Sequence, residues 1–328
     1  MRRSLARPDD PIRAPVTEKL AQGRLDQTGV GPLEGRDRQG GMRLRDDATV
    51  MILCWNLGAA AGRWRDDPDL HEHAWHWIAA VDPGLAFLQE TEPPDWARGH
   101  WEVITLPHSF WASALVARRS LGLRVLEPPT GGVLAKAGSY HAFGEIELVS
   151  GDPLLVASVH TSPRVAPVWG YREHYRREQI ARPSVGVPWW NDVAFAGFRE
   201  LVDGRRFIVA GDWNTSRWVD SEGVPTPSGA EFFERATAAG WVELSLDADG
   251  REGRTWYGST NPRTHQPDHA FADTETAASL RAFRIDPYPV EEHDLSDHAP
   301  LLLEFDVDVL AFEADPIAAP VTTEEVLA

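Results

Sequence analysis

The sequence predicts a layered α/β domain in which several strands are covered by a few helices. Short apolar runs typical of buried strands alternate with stretches of helical periodicity, and no internal repeat or interdomain linker separates them. A length of 328 residues is within reach of one large two-sheet fold, and an apolar fraction of 42 % is enough for a sizeable core.

The first elements expected along the chain are a buried strand at "TVMILCWNL" and a helix at "HEHAWHWIAAV". In that helix Ala74, Trp77, Ile78 and Val81 would share one apolar face. Further helices are expected at "NDVAFAGFRELVD" and at "GAEFFERATAAG", the second of which would end at Gly240. The remaining strands are expected at "GLAFLQE", "SALVARR", "FGEIELV", "PLLVASVH", "RFIVAGDW", "DHAFAD" and "APLLLEF".

The two ends of the chain differ from this core. Residues 1–46 are rich in Arg, Asp, Gly and Pro and lack periodicity, which predicts a disordered tail, with Met42 as an alternative initiator. Residues 311–328 predict a second, acidic tail, so the folded domain is expected to span residues 47–310. The chain has no secretory h-region, no apolar run long enough for a membrane span and a single cysteine, Cys54; we therefore expect a cytoplasmic protein.

The formal net charge of −18 argues against a protein that coats nucleic acid without specificity. It leaves open an enzyme that acts on phosphates, because a bound cation can reverse the local field. No protein partner can be inferred from the sequence.

Polar side chains stand at one end of six predicted strands. A single polar residue at a strand end usually belongs to a turn or a cap. Six such strand ends together predict a single cleft, called the mouth below, whose side chains suit metal-assisted phosphate chemistry. In chain order these residues are Asn56, Glu90, His160, Asp212, Asn214, Asp268, Asp297 and His298.

Three of these residues are expected to hold a metal ion. Mg²⁺ prefers hard oxygen ligands and retains several waters, so one or two carboxylates and the substrate suffice to bind it. Glu90 is the first choice of ligand, with Asn56 and Asp297 beside it, and Mn²⁺ is a possible substitute.

The other residues are expected to handle protons and the phosphate. His298 is suited to exchange a proton near neutral pH, and Asp268 would hold its second ring nitrogen. Asp212 and Asn214 share one face of "GDWN" because the side-chain period of a strand is two, and together they can address the attacking water and the phosphate.

The motifs "WN", "QE", "VH", "GDWN", "PDHAF" and "SDHAP", in this order, resemble those of the endonuclease/exonuclease/phosphatase superfamily, the DNase I-like fold. The resemblance covers roughly residues 50–307. It implies a four-layer sandwich of two packed, mostly antiparallel β-sheets flanked by helices, with the site at one edge. It also implies that His160 contacts the phosphate, while family members differ over whether the Asp212 equivalent or the acid–histidine dyad activates water.

Two positions depart from the family pattern. Gly58 stands where some abasic-site nucleases carry an additional metal-binding acid, and Trp213 replaces the more usual phenylalanine of "GDFN". The first departure weakens the resemblance to abasic-site nucleases in particular, and the second is a tolerable exchange of aromatic residues.

Substrate contacts are expected mainly in residues 161–192, which follow His160 and mix aromatic residues with arginines. Aromatic rings can stack on bases while arginines bind phosphates, although a helix packed by its aromatic residues with its arginines in solvent explains the pattern equally well. In "VARR" an arginine could bind phosphate or simply end a strand. The predicted substrate-binding residues are Arg118, Arg164, Arg172, Arg176 and Trp189.

The sequence therefore predicts a Mg²⁺-dependent phosphoesterase that hydrolyses phosphodiester bonds, a nuclease acting on DNA or RNA. The alternative is a phosphatase or phosphodiesterase acting on a small-molecule or lipid phosphoester. A non-catalytic binding module of the same fold is a third hypothesis. The complete set from Asn56 to His298 argues against it, because a binding module does not need Glu90, Asp268 and His298 together.

Overall fold

Two six-stranded β-sheets form the framework of the protein. The structure, a computed structural model, describes residues 49–58, 67, 69–105, 112–127, 134, 140–163, 166, 189–217, 220–221, 224–225, 228–258 and 265–306. The strands are β1 (Thr49–Asn56), β2 (Leu85–Gln89), β3 (Trp101–Thr105), β4 (Ala114–Arg118), β5 (Arg124–Val125), β6 (His141–Glu147), β7 (Pro153–His160), β8 (Arg206–Asp212), β9 (Asp220–Ser221), β10 (Val224–Pro225), β11 (Val242–Glu243), β12 (Asp268–Ala272), β13 (Leu280–Ile285) and β14 (Leu301–Asp306). The helices are α1 (Asp69–Val81), α2 (Ala97–His100), α3 (Trp190–Leu201), α4 (Ser228–Ala238), α5 (Thr274–Ala277) and α6 (Tyr288–Glu291).

The two large sheets share one pairing pattern. The first has the order β13-β14-β1-β2-β4-β3, and the second has the order β11-β12-β8-β7-β6-β5. In each sheet one central pair is parallel, β1 with β2 and β7 with β8, and the other pairs are antiparallel. Strands β9 and β10 form a separate two-stranded ribbon. Because the carboxyl ends of two parallel strands lie at the same edge of a sheet, each sheet brings two strand ends together there.

Three apolar layers hold the sheets and helices together. Residues on the facing sides of the two sheets, such as Phe87 and Val156, form the central layer. Helix α1 buries Trp75 against the outer side of the first sheet. Helices α3 and α4 bury Phe198 and Phe232 against the outer side of the second sheet. The result is the four-layer α/β/β/α sandwich that the family resemblance implied, with helices on both outer sides.

The predicted elements of the core are confirmed, with ends that differ by about two residues. The eight predicted strands are β1, β2, β4, β6, β7, β8, β12 and β14, and the three predicted helices are α1, α3 and α4. The short or peripheral strands β3, β5, β11 and β13 were not predicted. All four lie at sheet edges, where one side of the strand has no partner and the apolar pattern is weak.

The predicted apolar face of α1 needs one correction. Trp75 is fully buried, whereas Trp77 is half-buried and meets the ring of Trp55 edge-on, with the ring centroids 5.1 Å apart. The reason is that the Trp75 indole N–H finds an acceptor, Thr91 Oγ1, at 3.0 Å and can therefore leave water.

The predicted tails, residues 1–46 with Met42 and residues 311–328, lie outside the described residues. Among the helices that the structure describes, none combines the length and the apolar character required to cross a membrane.

Candidate active site

The parallel pairs bring the first four site residues together. In the first sheet Asn56 is in register with Gln89, the neighbour of Glu90. In the second sheet His160 is in register with Asp212. Asn56 Nδ2 donates a hydrogen bond to Asp212 Oδ2 at 2.9 Å, and this contact joins the two sheets at the mouth.

Glu90 lies between these groups. Its Oε1 is 3.4 Å from Asn56 Nδ2 and 3.4 Å from His160 Nε2, and the residue is only 8 % exposed. Glu90 and Asn214 also have positive backbone φ angles, of 50° and 49°. A glutamate in this conformation is strained, and such strain persists where the surrounding structure holds the residue in place.

Asp212 is held from two directions. Its Oδ2 accepts from Asn56, and its Oδ1 accepts the backbone N–H of Asn214 at 2.8 Å. The Asn214 side chain donates to the carbonyl of Thr161 at 2.8 Å, which ties the end of β8 to the residue that follows His160. The carboxylate orientation is therefore fixed by its neighbours.

His298 and Asp268 form a buried dyad. His298 Nδ1 donates to Asp268 Oδ2 at 2.8 Å, and Thr255 Oγ1 donates to the same oxygen at 2.5 Å. The antiparallel pairing of β12 with β8 places Asp268 opposite Asp212. The second oxygen, Asp268 Oδ1, is buried and has no hydrogen-bond partner among the described residues.

The loop before β14 is fixed to strand β1 by two hydrogen bonds. Trp55 Nε1 donates to the His298 carbonyl at 2.7 Å, and Ser296 Oγ donates to the Asn56 carbonyl at 2.7 Å. Asp297 places its carboxylate over Gly58, because a Cβ atom at position 58 would lie 2.9 Å from Asp297 Oδ1. Glycine at this position therefore leaves room for the Asp297 carboxylate at the mouth.

The pKa values of Asp212 and His298 are both raised. This favours the neutral form of Asp212 and the charged form of His298. Burial, and then the charge of Asp268, raise the pKa of Asp212 to about 7. Burial by itself would lower the pKa of His298, but the charge of Asp268 and the hydrogen bond to it raise this pKa to about 10.

The charge of the mouth fits a bound divalent cation. When the four carboxylates of Glu90, Asp212, Asp268 and Asp297 are all ionised, two negative charges remain even with the imidazoles of His160 and His298 protonated. A divalent ion would balance them. Asp212, Asp268 and His298 offer ligand atoms that all lie within 4.8 Å of one another and could hold a metal ion.

The position of Asn56 bears on its predicted part in metal binding. Its side-chain N–H groups face Asp212 and Glu90, and its Oδ1 accepts the backbone N–H of Gly58 at 2.9 Å. This geometry orients the two carboxylates, and the second lone pair of Oδ1 remains as the potential ligand.

A second acid–histidine cluster, Glu243, Glu252 and His269, has a different character. His269 Nδ1 lies 2.8 Å from Glu243 Oε1, and His269 Nε2 lies 2.9 Å from the carbonyl of Thr215. Since both ring nitrogens face acceptors, both carry protons. Arg217 pairs with both glutamates, so the cluster balances its own charge and does not need a metal ion.

Of the predicted substrate-binding residues, Arg118 and Trp189 belong to the part of the chain that the structure describes. Arg118 pairs with Asp82, and its backbone N–H bonds to Gly84 at the start of β2, about 20 Å along the strand from Glu90. This arginine is therefore not placed to bind phosphate at the site, because its guanidinium is engaged at the opposite end of the sheet. Trp189 precedes α3 and donates its backbone N–H to Asp192 Oδ2 at 2.8 Å. Arg164, Arg172 and Arg176 lie outside the described residues.

Three residues near the site were not predicted. Thr255 bonds to Asp268, as described above, and no spacing in the sequence indicates this contact. Tyr140 is 40 % exposed, and its ring centroid lies 6.2 Å from that of His160. Ser158 accepts from Gln89 Nε2 at 2.9 Å and so bridges the two sheets beneath the mouth. The Gln of the motif "QE" is the sequence feature that could have indicated this contact with Ser158.

Comparison with known proteins supports the fold. No family model and no curated protein matches the sequence. Among solved structures, an AP endonuclease from Leishmania major matches with a TM-score of 0.57 and 13 % identity, covering 90 % of this chain and 99 % of that chain. An AP endonuclease from Archaeoglobus fulgidus matches with a TM-score of 0.56 and 14 % identity, covering 79 % of this chain and 100 % of that chain.

A third match is the 3′ phosphatase NExo from Neisseria, in a structure bound to a product DNA hairpin. It gives a TM-score of 0.53 and 16 % identity, covering 78 % of this chain and 99 % of that chain. At such identities the likeness establishes the fold alone. The chain has the DNase I-like fold that the motifs indicated.

Proposed function

We propose that the protein is a metal-dependent phosphodiesterase of the nuclease type. The observation that carries the proposal is the buried Asp268–His298 dyad, which lies beside Asp212 and Asn56 where the central strands of the two sheets end. Burying a carboxylate pair beside an imidazole is costly, and no packing requirement of the sandwich explains it. Such groups are common where an enzyme handles protons and phosphate charge.

Glu90 and Asp297, with Asn56 beside them, are the residues that would hold the metal ion. Mg²⁺, with Mn²⁺ as a substitute, would neutralise charge on the phosphoester when bound. His160, which lies next to Glu90, would contact a phosphate oxygen. Gly58 leaves room for the Asp297 carboxylate, as described above.

Proton transfer is assigned to Asp212 and to the dyad. Asp268 fixes the ring orientation of His298 through Nδ1, which leaves Nε2 to face the substrate. Asn214 and Asn56 hold the Asp212 carboxylate in a single orientation. Either Asp212, whose pKa of about 7 lets it accept a proton near neutral pH, or His298, which with a pKa of about 10 must first lose its own proton, takes the proton of the attacking water. Asp212→Asn and His298→Ala, compared at several pH values, would distinguish these two possibilities.

A hydrolysis assay tests the proposal. Purified protein is incubated with bis(p-nitrophenyl) phosphate, DNA, RNA and a panel of phosphomonoesters, with Mg²⁺, Mn²⁺ or EDTA. We expect hydrolysis of a diester with Mg²⁺ and its abolition by EDTA, and we expect Glu90→Gln to lose most of the response to limiting Mg²⁺. Absence of turnover on every substrate with either metal would support the non-catalytic binding module instead.

The second candidate function is hydrolysis of a small-molecule or lipid phosphoester. It is favoured by the net charge of −18 and by the pairing of Arg118 with Asp82 away from the site. Both features reduce the attraction for a long polyanion. Turnover of small phosphoesters without cleavage of DNA or RNA would establish this alternative.

A further inference from the structure

One short segment, residues 254–257, is fixed to the dyad side of the mouth. Thr255 Oγ1 bonds to Asp268, and the Thr255 carbonyl accepts the N–H of Ala299 at 2.7 Å. Trp256 forms an isolated antiparallel bridge with His298. Tyr257 donates its backbone N–H to the Asp297 carbonyl at 2.7 Å. The backbone of this segment therefore follows the loop that carries two predicted site residues.

Arg254 begins this segment and is held in a defined orientation. Its guanidinium carbon lies 4.0 Å from the centroid of the Tyr257 ring, and its Nε donates to the Trp256 carbonyl at 3.3 Å. The side chain is half-buried. Stacking on an aromatic ring and one backbone hydrogen bond restrict the rotamers of a long side chain before any ligand binds.

Among the described residues, Arg254 has no acidic partner, in contrast to the other half-buried arginines. Within the part of the chain that the structure describes, no carboxylate oxygen lies within 4.0 Å of its nitrogens, and its two Nη groups have no hydrogen-bond acceptor. Glu291 interacts with the Tyr257 hydroxyl. By contrast, acids neutralise Arg118 (Asp82), Arg206 (Asp273), Arg217 (Glu243) and Arg235 (Asp192).

This exception matters in a chain of net charge −18, in which acids are abundant. A guanidinium that is oriented but not neutralised keeps four N–H donors for a ligand and matches the geometry of a phosphate oxygen pair. A phosphoester bound at His298 and Asp297 would bring its neighbouring groups toward residues 254–257.

We propose that Arg254 binds a second anionic group of the substrate, a phosphate adjacent to the scissile one. The inference rests on the proposed function and narrows its substrate class to phosphodiesters that carry a further phosphate, such as a nucleotide chain. Arg254 is then a specificity-determining residue, and Tyr257 is the residue that positions it.

Calorimetric titration with two nucleotides that differ by one phosphate tests the inference. Thymidine 3′,5′-bisphosphate and thymidine 5′-monophosphate are titrated into the full-length protein with Mg²⁺. We expect the wild type to prefer the bisphosphate by about tenfold, since a charge-assisted hydrogen bond adds roughly this factor or more. Arg254→Ala should abolish the preference, and Arg254→Lys should restore part of it.

The matched control is Arg251→Ala, which removes the same charge from an exposed arginine three residues earlier, paired at 3.8 Å with Asp249. This variant should keep the wild-type preference. Equal affinity of the wild type for the two nucleotides, or failure to bind the bisphosphate, overturns the inference. Equal losses for both nucleotides in Arg254→Ala also overturn it, because they indicate a structural role.

Turnover of bis(p-nitrophenyl) phosphate, which has no second phosphate, tests the proposed function independently of this inference. A wild type that prefers the bisphosphate but hydrolyses no diester refutes the hydrolase and leaves the anion-binding role of Arg254 intact. A wild type that hydrolyses the diester without preferring the bisphosphate refutes the inference alone.

Discussion

At the scale of single residues, the backbone of Glu90 has an unusual, left-handed conformation. Four described non-glycine residues have positive φ, and two of them, Asp82 and Asp294, are aspartates, which tolerate this conformation. Glu90 has no such tolerance, and the left-handed conformation costs roughly 1–2 kcal/mol. Neighbouring contacts hold Glu90 there, which is typical of a residue retained for function.

The first prediction separates strain from function at this position. Glu90→Gly should relieve the strain and leave the melting temperature unchanged or raise it, while the Mg²⁺-dependent activity is lost. Glu90→Gln should lose activity as well but should not gain stability, because it keeps the strained backbone. Thermal melts of both variants, recorded beside the hydrolysis assay, measure the difference. A large drop in stability for Glu90→Gly would mean that the carboxylate itself holds the fold.

The second prediction concerns the dyad. His298→Ala should reduce turnover by about 10²- to 10⁴-fold, because both proton transfer and positioning are lost. Asp268→Asn should keep the fold and still reduce turnover, since it releases the His298 tautomer that the carboxylate selects. Turnover numbers and far-UV circular dichroism check both variants, and normal turnover of Asp268→Asn would remove its orienting role.

At the scale of elements, the parallel pair β7/β8 depends on one glycine. Gly211 has a φ of 155°, and a Cβ atom at this position would lie 1.9 Å from the Val159 carbonyl oxygen on the neighbouring strand. The next residues along the pair are His160 and Asp212, so the tight approach of these two strands sets how two site residues face each other.

The third prediction follows from this approach. Gly211→Ala should destabilise the protein by roughly 3 kcal/mol or more, because a backbone oxygen cannot move aside without breaking the strand pairing. Gly99→Ala is the control, since no atom lies within 4 Å of the added methyl group. Denaturant unfolding of the two variants provides the comparison, and equal stabilities would contradict the tight approach.

A buried network of ion pairs on strands β11 and β12 contacts the loop that follows β8 next to the site. Glu243 pairs with His269 at 2.8 Å, and His269 also bonds to the carbonyl of Thr215, next to Asn214. Glu252 accepts the backbone N–H of Arg217 at 2.9 Å. The network thus links the loop after β8 to the segment that leads into Thr255.

The fourth prediction is the pH dependence of this network. Burial would lower the pKa of His269, but contact with Glu243 raises it above 6.5. Its contribution to stability is therefore fully present below about pH 6.5 and is lost as pH rises through the folded pKa. Burial would raise the pKa of Glu243, but His269 lowers it below 4.5, so its contribution is present above 4.5 and is lost in acid.

His269→Gln should therefore cost roughly 3 kcal/mol near pH 6, as the loss of one partner of a buried ion pair typically does. The difference from wild type should shrink once the pH rises through the folded pKa of His269. Denaturant titrations over a series of pH values from 6 upwards measure this, with the exposed His73 changed to Gln as the control. A difference that stays constant at every pH at which the wild type remains folded would contradict the prediction.

At the scale of the whole molecule, the described residues of the four-layer sandwich form a hydrophobic core among themselves. The fifth prediction is that a variant beginning at Met42 keeps the thermal stability and the activity of the full-length protein. The reason is that residues 1–41 carry few apolar side chains to bury. A fall of several degrees in melting temperature would show that the segment packs on the core.

The sequence by itself determined the fold class and the chemical content of the mouth. Apolar strands are recognisable from local composition, and a polar residue at the end of such a strand is visible one strand at a time. For this reason Glu90, His160 and Asp212 could be named before their contacts were known, and all three meet in the structure. Their catalytic and metal-binding roles stay predictions.

Only the tertiary structure decided which polar groups meet and which are engaged elsewhere. Arg118, which was predicted either to bind phosphate or to end a strand, pairs with Asp82. No motif distinguishes Arg254 in the sequence, yet it lacks an acidic partner among the described residues. Thr255 reaches Asp268 across thirteen positions of the chain. Strand register and the packing of one sheet on the other depend on contacts between residues distant in sequence, and no local pattern of residues encodes them.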